Sequence, residues 1–338
     1  MPEGQFENKV GISQESTFGT VIADNGTFVQ VDCDMPVPDF GLFQDSRLTN
    51  RGSRVRETDD DHETQSGGQR IITLNNWVVR RLDLAEIMYA VMQNVSESAS
   101  TPFTKTFTWQ GSGGTSTTQP DFSSNAGYFV TIGLDESYSG TYDNKFTSCI
   151  ARKVTLQWSI ATGEDGRLRA NVEYISGFTA SVAATFSGTW AHNTKNFYQM
   201  DQPSTVQLNN ADIKVLKGEI VYNNNAIRAG TNSSGNAITY ALGPYELTGN
   251  LLVIWEGNTV SNLADFIAGT TREIDIAVGT PDATGHFSQL IPAAKFTGSA
   301  KDYSRAEGQA VNIPFDARHD GTNPIVTVTI SDANDQAW

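Results

Sequence analysis

The sequence has few cysteines, no long apolar run and no apolar start, and each absence excludes a class of protein. Only two cysteines, Cys33 and Cys149, occur in 338 residues, so a reducing compartment is expected and a disulfide framework is not. No apolar run approaches the ~20 residues that cross a bilayer, and the opening MPEGQFENKV has no signal segment. We therefore expect a chain made in the cytosol, without membrane insertion, whose cysteines are core thiols.

Positive charge is also scarce. The chain has 23 Lys and Arg residues against 38 Asp and Glu residues, which gives a net charge of -15. Because nucleic-acid binding needs cations that displace the counterions of phosphate, this balance argues against phosphate binding. The hydrophobic content of 38% is nevertheless that of a globular protein, and the length allows two domains.

No arrangement of residues that catalysis requires is recognisable. The four histidines lie apart in the chain, and none has metal-ligand spacing with a cysteine. The Gly-x-Ser-x-Gly turn of serine hydrolases does not occur, and Gly113-Gly114 lacks the Lys-Ser/Thr of a phosphate loop. The acids at 59–61 lack the spacing of a calcium loop. We expect no enzymatic activity, no metal and no cofactor.

The clearest structural signal is a pair of alternating strands between Phe146 and Ile175. The buried positions would be Val154, Leu156, Trp158, Ile160, Leu168, Ala170, Val172 and Tyr174. A Gly-rich turn at 163–166 joins the two strands, so the stretch predicts an antiparallel hairpin with one buried face. The polar face must meet water or a partner. Candidate interface or lumen residues on it are Lys153, Gln157, Arg167, Arg169 and Glu173.

The rest of the chain predicts a mainly β protein with two short helices. The first helix follows Asp83 and Glu86, which have capping-box spacing, and it carries Met88 and Met92 as core residues. The second covers 260–268 and ends at Gly269. Alternating segments before and after each helix predict strands. Pro314 predicts that its strand lies at a sheet edge.

Residues 45–69 form a long polar stretch that has almost no apolar residue to bury. Loops of this length in compact domains are usually functional or disordered. Four basic residues precede five acidic ones, an order that favours a head-to-tail contact between copies; these are Arg47, Arg51, Arg54, Arg56, Glu57, Asp59, Asp60, Asp61 and Glu63. A solvated flexible loop is the alternative.

The two halves share an order of strand, helix and further strands, which suggests an internal repeat. The strand near Ile71 is echoed near Tyr245, Gly127-Tyr128-Phe129 by Gly285-His286-Phe287, and GRLRANVEYI (166–175) by GQAVNIPFDA (308–317). Chance similarity between two sheet domains is the competing explanation. The predicted organisation is a first domain at 1–178, a small-residue linker at 179–204 and a second domain at 205–338.

Several ordered features together resemble tailed-bacteriophage major tail tube proteins of the siphophage type. They are QESTFGT at 14–20, the Arg-Gly-Ser-Arg that enters the polar loop, the helical AEIMYAVM, and the hairpin segment FTSCIARKVTLQW. The chain is longer than a single tube domain and fits a duplicated form better.

This resemblance implies a structural virion protein. The expected fold is two β-sandwich, tube-type domains, each flanked by a short α-helix, whose sheets form an inner β-barrel on oligomerisation. The 45–69 loop would be the inter-ring stacking loop. Stacked rings of three chains (pseudo-hexameric) or six chains would enclose a tape measure protein and then conduct DNA without sequence preference. Tail terminator and distal tail proteins would be partners, in a virion tail assembled in the host bacterial cytoplasm.

Two other functions stay open. The aromatic residues Trp109, Trp190 and Tyr198, predicted to be exposed, could form a sugar-binding platform, which would favour a β-sandwich module for glycans or a host surface; aromatics that cover sheet faces or interfaces are the alternative. A capsid decoration or tail-terminator protein would use the same assembly logic at another place in the particle.

Overall fold

The structure is a computed structural model, and the described residues are 8–20, 22–36, 42–45, 62–65, 70–98, 101–109, 127–135, 143–161, 163–178, 181–182, 186–201, 204–232, 236–254, 268–280, 283–298, 300–302 and 310–333. Strands dominate, as the sequence predicts. We call β1 to β10 the first unit; its elements are β1 (Lys9–Gln14), β2 (Thr27–Gln30), β3 (Leu42–Asp45), β4 (His62–Gln65), β5 (Arg70–Val78), α1 (Arg81–Met92), β6 (Ser96–Glu97), β7 (Phe103–Trp109), β8 (Val130–Asp135), β9 (Asn144–Ser159) and β10 (Arg169–Ser176).

The connection to the second half contains β11 (Ser181–Val182) and β12 (Thr189–His192). We call β13 to β23 the second unit. Its strands are β13 (Ser204–Leu208), β14 (Ala211–Asp212), β15 (Val215–Asn223), β16 (Ile227–Thr231), β17 (Ala237–Ala241), β18 (Glu246–Ile254), β19 (Thr271–Val278), β20 (His286–Phe296), β21 (Ala300–Asp302), β22 (Ala310–Ala317) and β23 (Val326–Asp332).

The two units repeat one order of antiparallel strand pairing. In the first unit the order is β1–β8–β9–β10–β5. In the second it is β13–β19–β20–β22–β18. In the second unit β15 pairs with the outer side of β18. In the first unit the backbone of residues 32–34 takes the equivalent place beside β5, where Val78 N donates to Asp32 O at 2.9 Å and Asp34 N donates to Asn75 O at 3.0 Å.

The two units match in strand-pairing order, but the residue alignments that the sequence suggests between them do not match the structure. Matching GRLRANVEYI with GQAVNIPFDA places buried Ala170 on half-buried Asn312 and half-buried Asn171 on buried Ile313. A shift of one residue exchanges the faces of a strand, so that alignment is wrong by an odd number of residues. Gly127 and Gly285 also precede strands, β8 and β20, that hold different places in the order.

The units are joined into one sheet at two places. β9 pairs with β15 over seven residues, and β23 pairs with β7 over seven more. A single hydrophobic core runs through both units, with residues from α1, β9, β20 and β22 in one cluster. Cys149 lies in this core, and Cys33 is partly buried against it; both are free thiols.

The first helix begins slightly earlier than the sequence predicts. It starts at Arg81, and the Asp83 carboxylate accepts a hydrogen bond of 3.0 Å from the N–H of Arg80, the N-cap residue. The predicted pair of Asp83 with Glu86 is therefore wrong, because Asp83 is already the third helical residue. Met88 and Met92 are buried, as predicted. The predicted second helix at 260–268 lies almost entirely outside the described residues.

Pro314 does not lie in an edge strand. β22 pairs with β18 on one side and with β20 and β21 on the other. The pairing with β20 and β21 is interrupted opposite Pro314, where Thr297 N donates to Pro314 O at 2.9 Å. Because proline has no N–H to donate, a gap in the ladder accommodates it as well as an edge would.

Candidate functional site

A polar sheet face extends over six neighbouring strands, β5, β10, β9, β15, β18 and β22. The opposite face of these strands carries the core, so alternation leaves the polar side chains on the open side. One row of directly paired positions crosses five strands; its members are Arg169, Gln157, Glu219, Asn250 and Pro314. A second row crosses four; its members are Glu173, Lys153, Asn223 and Glu246.

Four of the five candidates on the predicted hairpin lie together on this polar face. Arg169 is opposite Gln157, and Glu173 is opposite Lys153. Arg167 lies at the margin of the group, because it lines the same groove as Gln157 and Arg169 while its guanidinium stacks on the ring of Phe197 at 4.5 Å and its backbone pairs with the 186–201 segment.

The turn between β9 and β10 is fixed by charge-assisted hydrogen bonds. Arg169 donates to the Asp165 carboxylate at 2.8 Å and to Asn76 Oδ1 at 2.7 Å, and the N–H of Arg167 donates to Asp165 at 3.1 Å. Slight burial raises the pKa of Asp165, but these donors and the two guanidinium charges outweigh it and lower the pKa below its usual value. Arg169 is therefore held along the sheet rather than free in solvent.

A groove of about 630 Å³ opens where the turn overhangs the polar face. Its lining includes residues of both units, among them Arg169, Lys217, Glu219, Asn250 and Asn312. The second-unit residues of the groove are not among the residues predicted from the sequence. The signal was present, because β15 alternates buried Ile220 and Tyr222 with exposed or half-buried neighbours, but only the fold shows that β15 continues the hairpin's sheet.

The junction of the two units depends on a glycine. Gly218 of β15 pairs directly with Trp158 of β9, and a Cβ on Gly218 would lie 2.1 Å from Cζ2 of the indole. Trp158 is 5% exposed and belongs to the shared core. Because Gly218 has no side chain, the Trp158 ring of the first unit can lie directly on the β15 backbone of the second unit.

The β16–β17 hairpin of the second unit lies across the first unit. Tyr240 donates its hydroxyl to Ser148 O at 2.5 Å and to Ile175 O at 3.1 Å, and Ala237 N donates to Gly177 O at 2.7 Å. The Tyr240 ring packs in a small apolar cluster with residues of β9 and β10. These contacts anchor the hairpin on the strands of the other unit.

A buried carboxylate, that of Glu15, binds Ser148, the residue whose carbonyl also accepts from Tyr240. Glu15 accepts hydrogen bonds from Thr131 Oγ1 at 2.6 Å, Ser148 N at 2.6 Å and Ser148 Oγ at 2.7 Å. Burial raises its pKa, and these donors offset part of that effect. Ser148 has a φ of 52°, a left-handed conformation that costs energy for a residue with a side chain, and the carboxylate holds it there.

Asp83 is a second buried carboxylate with three donors. Asn193 Nδ2 donates at 2.6 Å, Arg80 N at 3.0 Å and Trp77 Nε1 at 3.3 Å. Desolvation by burial nevertheless raises the pKa of Asp83 to about 6. This carboxylate ties the helix, β5 and the 186–201 segment together, so it serves the structure and does not face the groove.

The stacking-loop candidates fall largely beyond what the structure covers. Arg47, Arg51, Arg54, Arg56, Glu57, Asp59, Asp60 and Asp61 lie outside the described residues. Glu63 is in β4, which pairs with β3. The role of this loop stays a prediction.

The structure overturns the sugar platform. Trp109 and Tyr198 are 0% and 2% exposed, and Trp190 is half-buried and stacks on Phe28 with ring centroids 5.5 Å apart. Across the described part of the chain, no group of three or more His, Cys, Asp or Glu residues could hold a metal ion. Nor does any helix there have the length and apolarity to cross a membrane.

A family model described as phage tail tube protein matches residues 6–317. No curated protein matches the chain.

Proposed function

The chain belongs to the phage tail tube protein family, and from this premise we propose that it assembles into stacked rings that enclose a tape measure protein and later conduct DNA. Its role is structural and its place is the virion tail. Assembly would take place in the host bacterial cytoplasm, with tail terminator and distal tail proteins at the two ends of the tube. We propose no catalytic step for it.

The observation that carries the ring proposal is the junction of β9 with β15. In this junction the part of β9 that extends beyond β8 pairs with β15, the strand that lies outside β18 in the second unit. Since both units have the same pairing order, the same junction can be repeated between chains. The outer edge of residues 32–34 in one copy would then receive the β21 edge of another copy, in antiparallel pairing.

Both of these edges are available for pairing. Residues 32–34 bond to β5 on one side, and β21 pairs with β22 on one side. Among the described residues, no strand pairs with the other side of either segment. Open edges invite pairing with another chain, and closure of a ring removes them. Because each chain carries two units, at 1–178 and 205–338 with a connection at 179–204, three chains would complete a pseudo-sixfold ring.

We further propose that the polar face lines the lumen. The core covers one side of the six strands, so in a closed ring of joined sheets the polar face is the side left uncovered. It carries both signs of charge, such as Lys153 and Lys217 beside Glu173 and Glu219. Because a wall with charges of both signs exerts little net attraction on DNA, the DNA could pass along it without binding.

Cysteine cross-linking tests ring closure and chain number together. Asp34→Cys is combined in turn with Ala300→Cys, Lys301→Cys and Asp302→Cys, in a Cys33→Ser background. Disulfides form only where Cα atoms come within about 7 Å, so at least one pair should link neighbouring chains in tubes. A covalent ladder that ends at three chains supports the pseudo-sixfold ring. A ladder to six chains would contradict the duplication, and no cross-link in intact tubes would contradict the edge pairing.

Electron microscopy of the purified protein tests the function itself. We expect hollow tubes with a ring repeat, and specific antibody labelling along the tails of the parent particle. A protein that stays monomeric and is absent from virion tails would refute the tube assignment. Glu219→Cys then tests the lumen. In tubes it should react with a small maleimide but not with a polymer-linked one, whereas in dissociated subunits it should react with both.

A further inference from the structure

We propose that the groove beneath the β9–β10 turn binds a basic side chain, lysine or arginine, of the polypeptide that the tube encloses. The inference rests on the proposed tube function and on the polar face as the wall of its lumen. Two residues of the second unit would hold the basic group. They are Glu219 and Asn250, which line the groove and pair directly with each other in the β15–β18 ladder.

Glu219 carries a charge that the groove itself does not neutralise. Three acidic and three basic residues are among those that line the groove. The two acids of the turn, Glu164 and Asp165, hold all three bases, with N–O distances from 2.8 to 3.8 Å. Glu219 is exposed, and among the described residues no base forms an ion pair with it. Its carboxylate therefore remains for a cation from another molecule.

Asn250 provides a second acceptor beside this carboxylate. Residues paired directly in an antiparallel ladder have their Cβ atoms about 5 Å apart on one face of the sheet, so Glu219 and Asn250 are neighbours in the groove. The Asn250 Oδ1 atom is enclosed and accepts no hydrogen bond from a described residue, which is unfavourable for a buried polar atom. Rotation of the amide about χ2, a soft torsion in asparagine, turns Oδ1 to the groove. One donor placed between the two side chains would then satisfy both.

The remaining lining suits the rest of a polypeptide segment. Trp158 and Leu252 also line the groove, and they give the methylene stem of a basic side chain an apolar surface. Gln157 and Asn312 add amides that can donate to and accept from peptide groups. The groove volume of about 630 Å³ lies within the range of about 300–1,000 Å³ that is usual for ligand pockets.

The same groups distinguish a basic polypeptide from DNA. An ammonium or guanidinium group brings positive charge to Glu219 and N–H donors to Asn250. A phosphate group brings neither, because it is negative and has only acceptor oxygens, and the carboxylate repels it. The site could therefore hold the polypeptide while the tube is closed and leave the lumen open to DNA afterwards.

The test is an NMR titration of the isotope-labelled full chain in its dissociated form, followed through the side-chain amide signals of Asn250 and Gln157. The probe is the acetylated and amidated peptide Gly-Ser-Lys-Ser-Gly, and the matched probe has norleucine in place of lysine. We expect the lysine peptide to shift both signals and the norleucine peptide to shift neither. A short DNA duplex should also shift neither, and a duplex that shifts them would overturn the proposed selectivity.

Glu219→Gln removes the charge and keeps the length of the side chain. It should raise the Kd of the lysine peptide about tenfold. The matched control is Glu246→Gln, because Glu246 lies on the same polar face, is not among the residues that line the groove, and carries the same charge. Its Kd should stay within about twofold of the wild type. An equal rise in both variants would show general attraction by an acidic protein and would overturn the site.

A further probe separates a polypeptide from a free amine. n-Butylamine has the stem and the ammonium group of lysine but no peptide groups. If the occupant is a polypeptide, butylamine should bind at least about fivefold more weakly than the lysine peptide. Equal binding would overturn the polypeptide as the occupant.

Electron microscopy of the same protein separates this inference from the function on which it rests. If tubes form and the lysine peptide shifts neither amide signal, the groove site is refuted and the tube function stands. If no tubes form and virion tails lack the protein, the tube function fails, and the enclosed polypeptide fails with it as the occupant of the groove.

Discussion

The substitution Gly218→Ala should weaken the junction between the two units. The added methyl group would meet the Trp158 ring at 2.1 to 2.5 Å, whereas carbon atoms in contact are separated by about 3.5–4.0 Å. The ring is 5% exposed and enclosed by the core. Either the indole leaves its position or β15 moves away from β9.

The expected cost is that of overpacking a core, about 1–3 kcal/mol. For a chain of 338 residues, the usual entropy of unfolding per residue makes 1 kcal/mol worth about 1.4 °C in Tm. We therefore expect Tm to fall by about 1.5–4 °C in thermal unfolding. Glu219→Ala is the matched control, because Glu219 is the next residue and points to the polar face; its effect should stay within about 0.5 kcal/mol.

A double-mutant cycle identifies the cause. In a Trp158→Leu background the space above Gly218 is empty, so Gly218→Ala should lose most of its cost. The assay is thermal or urea unfolding of the four proteins, with tube formation scored by electron microscopy. An unchanged Tm for Gly218→Ala, or an equal loss in both backgrounds, would refute the idea that the glycine exists to admit the ring.

Three further changes test other parts of the structure. Burial raises the pKa of Asp83 from 3.8 to about 6, so the folded protein holds this proton more tightly than the unfolded chain, and the stability it contributes at pH 4 is lost as the pH rises to 6. The unfolding free energy of the wild type minus that of Asp83→Asn should therefore fall by about 2.4 kcal/mol between pH 4 and 7; a flat difference in urea titrations would contradict this. Tyr240→Phe removes the hydroxyl that donates to Ile175 O and to Ser148 O, and Ser148 O then keeps the 3.3 Å bond from Gly177 N. This change should cost about 1–3 kcal/mol and speed hydrogen exchange at Ala237; unchanged exchange would argue against the anchoring role. Deletion of 50–67 should leave a folded subunit that forms no tubes by electron microscopy, and tubes of normal length would count against the stacking loop.

Local alternation explains how much of the fold could be predicted. The β9–β10 hairpin was predicted with its turn and both faces, since the period of a strand can be read from neighbouring residues. Ile160 is the exception, because it follows the last residue of β9 and is 36% exposed. The position of the helix was predicted to within a few residues. Its N-terminal cap was not predicted, because Asp83 also accepts hydrogen bonds from Trp77 and from the distant Asn193.

The candidate site was only half predicted. Lys153, Gln157, Arg169 and Glu173 share a face as expected, whereas Arg167 turns to Phe197, a residue 30 positions away that no local pattern connects with it. Lys217, Glu219 and Asn250 were missed for the same reason. β15 shows the correct alternation, and β18 shows it only in part because Leu251, Leu252 and Val253 are all buried. In neither strand does the pattern identify the neighbouring strand.

The sequence by itself determined a mainly β chain, the polar face of one hairpin, the scarcity of positive charge and the resemblance to tail tube proteins. Only the tertiary structure decided that β9 pairs with β15, that the two units share one order of strands, and that Trp109 and Tyr198 are buried. The physical reason is the range of the interactions involved. The side-chain period of a strand is set by its own backbone, whereas hydrogen-bonded partners are chosen by packing among residues far apart in the chain.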